Sequence, residues 1–410
     1  MRLFTAIALR ATRLFTVSAP RAMRLLAAAA ALLAAVLVLP GCARRAADPE
    51  PDPAAALPGP PTLRAAGWAT GGSWSEAQVR RYASQFDAVV VGGSADSARV
   101  RLYREARPGI LVLAYTCGFD VHDTTSLYAR VRDRHPDWFL TDARGRRVHA
   151  YRDRHRWALD CGLPAVRAFF ADSARRRVRA LGADGVFEDN VLPSWDFRNL
   201  AGGARRLARY ADRAAWRAAL ETYLAALDSA VAPAVVAANQ VEPWTRHARI
   251  VAVEEMPRGG AAWEERVRGL AAVARDSARV PFLLHQLSGP DDPARAFVAA
   301  SFLLAARPGA LLALTYPGPR ESARRLPEQS LALGRPLGPA RRTGDVWWRD
   351  FERARVLVNP TRRARPAPWP GGARGPALPA LGAGIAWRAL PRAADGSPAV
   401  PPRLPHWVSP

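Results

Sequence analysis

The sequence predicts an α/β fold: a (β/α)8 TIM barrel with a small C-terminal β extension. Three observations predict it. Eight short apolar runs alternate with helical stretches between Leu63 and Pro317, the pattern of βα units around a parallel sheet. That span of about 255 residues is the length such a barrel needs. The run Val89-Val90-Val91 is continuously apolar rather than alternating, which suits a strand covered on both faces. An open doubly wound sheet is the competing architecture. Gly92-Gly93-Ser94, after the second run, lacks the dinucleotide fingerprint, and no cofactor is implied.

Residues 1–42 precede the fold. Met23-Arg24 leads an apolar run from Leu25 to Leu39, shorter than the roughly 20 residues of a membrane span. It ends in Leu39-Pro40-Gly41-Cys42, which resembles a bacterial lipoprotein signal whose cysteine is lipidated. Cys42 is the candidate lipidation site and Met23 a candidate start; the alternative is an ordinary cleaved signal peptide. Residues 43–61, rich in Ala, Pro, Arg and Asp, read as a flexible tether. The expected location is extracytoplasmic, with a lipid anchor in the bacterial cell membrane or outer membrane.

The barrel is expected over 62–320. Its first run is Leu63 to Thr70, followed by a helix with Ser75 as N-cap. The second is Asp87 to Ser94, and the third is Gly109 to Thr116. A long connection from Cys117 to Asp160 contains His-Pro-Asp-Trp-Phe-Leu at 135–140; long βα loops build the clefts of such barrels. A helix over Leu163 to Leu181 leads into the fourth run, Ala183-Asp184-Gly185-Val186-Phe187-Glu188-Asp189-Asn190. The fifth, Ala232 to Gln240, ends in Asn239-Gln240, and the sixth, Ala248 to Met256, in Glu254-Glu255-Met256. The seventh, Val280 to Leu287, ends in His285-Gln286, and the eighth, Ala310 to Pro317, in Thr315-Tyr316-Pro317. Residues 321–410 form the extension. Its Pro-rich end reads either as a few strands packed on the barrel or as partly disordered.

The formal charge of +23 does not mark a nucleic-acid binder. All 59 basic residues are arginine, spread over most helices, as a GC-rich coding bias produces, and no nucleic-acid motif accompanies them. Beyond Cys42 there are Cys117 and Cys161, either a disulfide or two buried thiols. The seven histidines show no metal-binding spacing.

The chemistry lies at the strand ends, which converge on one mouth in a barrel. Two acid clusters sit on strands two apart, Glu188-Asp189 and Glu254-Glu255. Strand spacing places such ends about 10 Å apart at Cα, so side chains can bring two carboxyls to the roughly 5–9.5 Å used to cleave glycosidic bonds. Asp189 is the first candidate catalytic acid, and Glu254 or Glu255 the second. Glu188 points opposite to Asp189. Tyr115, Asn190, Asn239, Gln286 and Tyr316 at strand ends, with Trp138 and Asp160 of the long loop, are the candidate substrate-binding residues.

Three segments carry a resemblance: Asp-Gly-Val-Phe-Glu-Asp-Asn at 184–190, His-Pro-Asp-Trp-Phe-Leu at 135–140, and Arg-Asp-Phe-Glu followed by Val-Leu-Val-Asn-Pro within 349–360. Together they resemble a bacterial family of hypothetical glycoside hydrolases with TIM-barrel folds, distantly similar to endo-α-1,4-polygalactosaminidases and α-amylase-like barrels. The resemblance covers roughly Leu63 to Thr361. It implies a hydrolase acting on a polysaccharide or oligosaccharide, with Asp189 and Glu254 or Glu255 as its pair. On the α-amylase-like pattern Asp189 would be the nucleophile. That pattern's fifth-strand glutamate is missing, since the strand ends in Asn239-Gln240. The alternative is a non-catalytic carbohydrate-binding envelope lipoprotein on the same scaffold.

Overall fold

The computed structural model describes residues 61–70, 73–93, 95–150, 154–191, 200–201, 206–239, 245–317, 324–372, 375–388 and 404–409. The leader, Cys42 and the tether lie outside these.

Eight strands close into a barrel: β1 (Arg64–Ala69), β2 (Ala88–Val91), β3 (Leu111–Thr116), β4 (Gly185–Glu188), β5 (Val235–Asn239), β6 (Ile250–Glu254), β7 (Val280–Gln286) and β8 (Leu311–Thr315). Each is parallel to the next, and β8 pairs back onto β1. Every expected run holds one strand. The barrel interior is filled by alternating small and large groups: Ala66, Ala88, Ala237, Ala252 and Ala313 against Leu113, Phe187, Ile250, Phe282 and Leu311. Phe187 is fully buried at its centre, edge-on to Trp68 at 5.1 Å and to Phe282 at 6.0 Å between ring centroids.

Local chemistry sets the strand starts. Asp87 Oδ2 accepts the Ala65 N–H at 2.9 Å, and Asp184 Oδ2 accepts the Val112 N–H at 2.8 Å. Each aspartate thus fastens the lower end of its strand to the preceding one. Gly185 is required at the start of β4, because a Cβ there would stand 2.2 Å from the Val235 carbonyl oxygen.

Among the described residues seven α-helices accompany the strands: α1 (Glu76–Ala83), α2 (Ser97–Ala106), α3 (Ser126–Arg134), α4 (Pro164–Leu181), α5 (Arg213–Val231), α6 (Gly260–Arg275) and α7 (Ala294–Ala305). Ser75 caps α1 in a reciprocal capping box with Gln78. Pro164 opens α4 and Gly182, at φ 66°, closes it. The long β3–α4 connection holds α3 and builds a small sheet from Asp120–His122, Arg156–Ala158, His149–Ala150 and Leu200–Ala201. Cys117 and Cys161 are both free thiols.

The C-terminal region forms a second sheet, β9 (Arg341–Thr343), β10 (Val346–Asp350), β11 (Ala354–Asn359), β12 (Gly382–Trp387) and β13 (Trp407–Val408), paired in that order. It is no loose appendage. Helix α7 is buried at every residue from Arg295 to Ala305, the signature of a helix with no solvent face. Phe297 and Phe302 of α7, Leu312 of β8, and Val356, Val358 and Ile385 of the sheet share one apolar core. Arg349 closes that core, with Nη1 donating to the carbonyls of Leu303 (3.1 Å), Leu304 (3.2 Å) and Ala306 (2.6 Å) at the end of α7. No described helix is long and apolar enough to cross a membrane.

Arg349→Ala removes the donor for these three carbonyls, so it should cost about 2 kcal/mol. Thermal melting by circular dichroism should show a drop of several degrees; an unchanged midpoint would refute this role.

Candidate active site

Successive side chains in a strand face opposite ways, so the position two beyond an interior residue is interior as well. Ala66, Leu113, Phe187, Ala237, Ala252, Leu284 and Ala313 line the barrel interior. Two residues further on stand Trp68, Tyr115, Asp189, Asn239, Glu254, Gln286 and Thr315. Register sets their heights. Phe187 pairs with Ala237, so Asp189 stands level with Asn239; Ala252 pairs with Asn239, so Glu254 lies one pleat higher.

Asp189 is held by three donors. Tyr115 Oη donates to its Oδ2 at 2.7 Å. Asn239 Nδ2 and the Asn190 N–H donate to its Oδ1 at 2.6 and 2.8 Å. Burial, then the neighbouring Asp189 charge, pushes the Tyr115 hydroxyl far above its usual range, so it stays a proton donor. The Asn239 side chain is fully buried and stands beside Glu254 as well. Its Oδ1 has no partner among the described residues. Burial, and then Asp189, raises Glu254 to about 7, while Asn239 acts in the opposite sense. Arg266 Nη1 anchors the end of β6 by donating to the Glu254 carbonyl at 3.0 Å. Among the described residues no three His, Cys, Asp or Glu side chains cluster to hold a metal ion.

The model of hypothetical glycosyl hydrolase family 15 matches residues 104–355, well over half of the chain. The chain belongs to this family. No match is found among curated proteins. Among solved structures, the chain is similar to the α-galactosidase TtGalA from Thermus thermophilus, at 18% identity over 72% of this chain and 66% of that one, TM-score 0.43. It is also similar to the GH36 α-galactosidase AgaA from Geobacillus stearothermophilus, at 12% over 76% and 48%, TM-score 0.42. For the maltogenic α-amylase AmyB from Thermotoga neapolitana the values are 13%, 74%, 86% and 0.40. The chain thus spans just under two thirds of the Thermus enzyme and about half of the Geobacillus one. At these values the structural likenesses add nothing to an assignment of activity.

Several residues of this family member sit elsewhere than its sequence suggests. Glu255 has the outward parity and a left-handed backbone, φ 60°. Its Oε2 lies 2.7 Å from His285 Nδ1, and its Oε1 accepts the Gln286 N–H at 3.1 Å. So close a carboxylate requires the proton on His285 Nδ1, which leaves the Met256 N–H at 3.1 Å from that nitrogen a secondary contact. Burial alone would raise Glu255, but the His285 and Gln286 contacts outweigh it and the pKa falls below its ordinary value. Glu255 is therefore no partner of Asp189. Tyr316 is also outward, packed on the α7 core with its hydroxyl accepting the Arg324 N–H at 3.1 Å. Trp138 is buried against Phe169 and His135 as a loop anchor rather than a sugar platform. Asp160 is buried too, its oxygens taken by Tyr210 Oη, Arg209 Nε (2.9 Å) and the Gly162 N–H (3.0 Å). Gln286 is exposed at the mouth.

The sequence gives no sign of Asp120 and Arg156, which meet at 2.7 Å across two short loop strands. Asp120 Oδ2 also accepts from Asn190 Nδ2 at 3.2 Å, which ties the long loop to the end of β4. Glu188, as its parity requires, leaves the barrel interior. It is buried between β3 and α5, accepting from Thr116 Oγ1 (2.6 Å), the Gly118 N–H (2.7 Å) and Tyr223 Oη (2.9 Å). Burial still lifts its carboxyl to about 7.

Glu188→Ala would strand these three donors in the interior. The expected loss is about 3 kcal/mol, measured by urea denaturation; a change within experimental error would show that Glu188 is dispensable.

Proposed function

We propose that this barrel hydrolyses O-glycosidic bonds of a polysaccharide or oligosaccharide with retention of configuration, using Asp189 as nucleophile and Glu254 as general acid and base. The observation that carries the proposal is the meeting of Asp189 and Glu254 around the buried Asn239, whose amide donates to Asp189 Oδ1 at 2.6 Å and favours the ionised form of Glu254, while the Asp189 charge disfavours it. Asp189 stands level with Asn239 of β5 and Glu254 one pleat higher on β6, near enough for the Asp189 charge to act on Glu254. Retaining glycosidases place their carboxyls about 5–5.5 Å apart, and inverting ones need a wider gap for water.

The environments suit the two roles. Asp189 accepts two hydrogen bonds at Oδ1 and one at Oδ2, which fixes the carboxylate and leaves a lone pair on Oδ2 for an anomeric carbon. Glu254, raised to about 7, can hold a proton at neutral pH. In the first step Asp189 attacks the anomeric carbon and the glycosidic C–O bond breaks. The Glu254 proton passes to the departing oxygen, leaving a glycosyl ester on Asp189. In the second, Glu254 takes a proton from water, the water oxygen attacks the same carbon, and Asp189 leaves. Tyr115 and Asn239 hold the nucleophile through both steps, and Trp68 offers an aromatic wall beside them.

Asp189→Asn should lower turnover by roughly three or more orders of magnitude, and Glu254→Gln by about 10²–10⁴-fold. Because the protonated form of Glu254 is the acid, kcat/KM should fall as pH rises through about 7. That limb should vanish in Glu254→Gln. Nuclear magnetic resonance of the first-formed sugar reports stereochemistry. An inverted product, or full activity in Asp189→Asn, would sink the assignment. Glycan binding without turnover would favour a carbohydrate-binding protein instead.

We also propose that the leader exports the protein and anchors it through Cys42 by lipidation. A bacterial host fed an alkyne-tagged fatty acid should label the wild type and not Cys42→Ala; equal labelling of both would refute the anchor.

A further inference from the structure

A groove of about 370 Å³ opens where the barrel meets the C-terminal sheet. One lip is Arg258-Gly259-Gly260, the connection between β6 and α6; the other is Pro360-Thr361-Arg362, just after β11. Trp347 forms part of the wall, its ring held edge-on to the buried Trp263 at 5.6 Å.

The charges in this groove do not cancel. Its two acids are engaged by arginines: Glu264 by Arg268 at 2.9 Å, Asp345 by Arg365 at 2.9 Å, and both by Arg342 at 3.6 and 3.5 Å. Arg258 and Arg362 are exposed and make no hydrogen bond or ion pair among the described residues. The lips themselves are firmly built. Asn359 Oδ1 accepts from the Thr361 N–H (3.1 Å) and Oγ1 (2.8 Å), and the Leu381 N–H donates to the Thr361 carbonyl at 2.8 Å. A side chain at Gly259 would collide with the Pro360 carbonyl, 2.1 Å from its Cβ. A fixed backbone carrying two exposed guanidinium groups without hydrogen-bond partners among the described residues suits an anion, since a guanidinium fork matches carboxylate and sulfate oxygens in pairs. The groove also adjoins the mouth. Arg258 lies four residues beyond Glu254, and its charge acts on Glu255 and Asp292, with neither of which it forms an ion pair.

We propose that the groove is a binding subsite for an acidic sugar unit, one bearing a carboxylate or a sulfate, several units along a chain from the bond cleaved at Asp189 and Glu254. The proposal rests on the glycoside hydrolase reading for the identity of the chain, and its test does not depend on cleavage. Full-length Asp189→Asn protein would be titrated calorimetrically with a hexagalacturonate, a sulfated hexasaccharide and a neutral hexasaccharide. At least one acidic hexasaccharide should bind about tenfold more tightly than the neutral one, and the stronger of the two identifies the anion. Adding Arg258→Ala and Arg362→Ala should abolish that tenfold preference. Adding Arg81→Ala and Arg130→Ala, two exposed arginines on α1 and α3, should leave it intact. Equal affinity for acidic and neutral hexasaccharides would overturn the proposal, as would an acidic preference that survives loss of Arg258 and Arg362. Wild type that cleaves no glycan, beside an intact acidic preference, would remove the hydrolase reading and leave the receptor standing.

Discussion

The Asn239 amide is the group on which the electrostatics of the mouth depend. Two carboxylates brought within a few ångströms of one another in a buried setting repel strongly. A neutral donor held by Asp189 and set beside Glu254 eases their coexistence, and burial, followed by the Asp189 charge, emerges as a displaced proton equilibrium at Glu254. Asn239 can occupy this place because β5 puts it level with Asp189, with β6 carrying Glu254 one pleat above. That placement in turn needs the closure of eight strands in register. Packing, register and acid–base character thus form one chain of cause, with the amide at its end.

Much of this was legible in the sequence. The eight strands announced themselves as apolar runs because a parallel strand is buried on both faces. The same property hid the choice between Glu254 and Glu255. Ile250, Val251, Ala252 and Val253 are all apolar, so no alternation marks which face looks inward. Tyr316 failed for the same reason, since Leu312, Ala313 and Leu314 carry no period of two. Trp138 and Asp160 failed differently. The long loop folds into its own small core, which recruits aromatic and acidic groups that a linear reading assigns to the cleft. The Asp120–Arg156 pair joins residues far apart in sequence through loop-strand pairing, and nothing local foretells it.

The motifs that carried the family resemblance divide into two kinds. The fourth-strand segment holds chemistry in Asp189 and construction in Asp184, Gly185 and Glu188. The closing segment holds construction alone: Arg349 ends α7, Asp350 pairs with Arg355 and Arg388, Phe351 is buried, and Asn359 shapes the turn beyond β11. Membership in the family therefore reports a scaffold as much as a reaction.

Helix α7 has a further consequence, for how the chain comes to be folded. Both of its faces are apolar, and one is covered largely by strands made more than forty residues later. During synthesis from the N-terminus, the last βα unit of the barrel has nowhere to bury that face until β10, β11 and β12 have emerged. The barrel and the sheet share one apolar core within one compact unit. The boundary near residue 320 marks a change of secondary structure, and a chain cut there would expose a greasy stripe to water rather than yield a smaller enzyme.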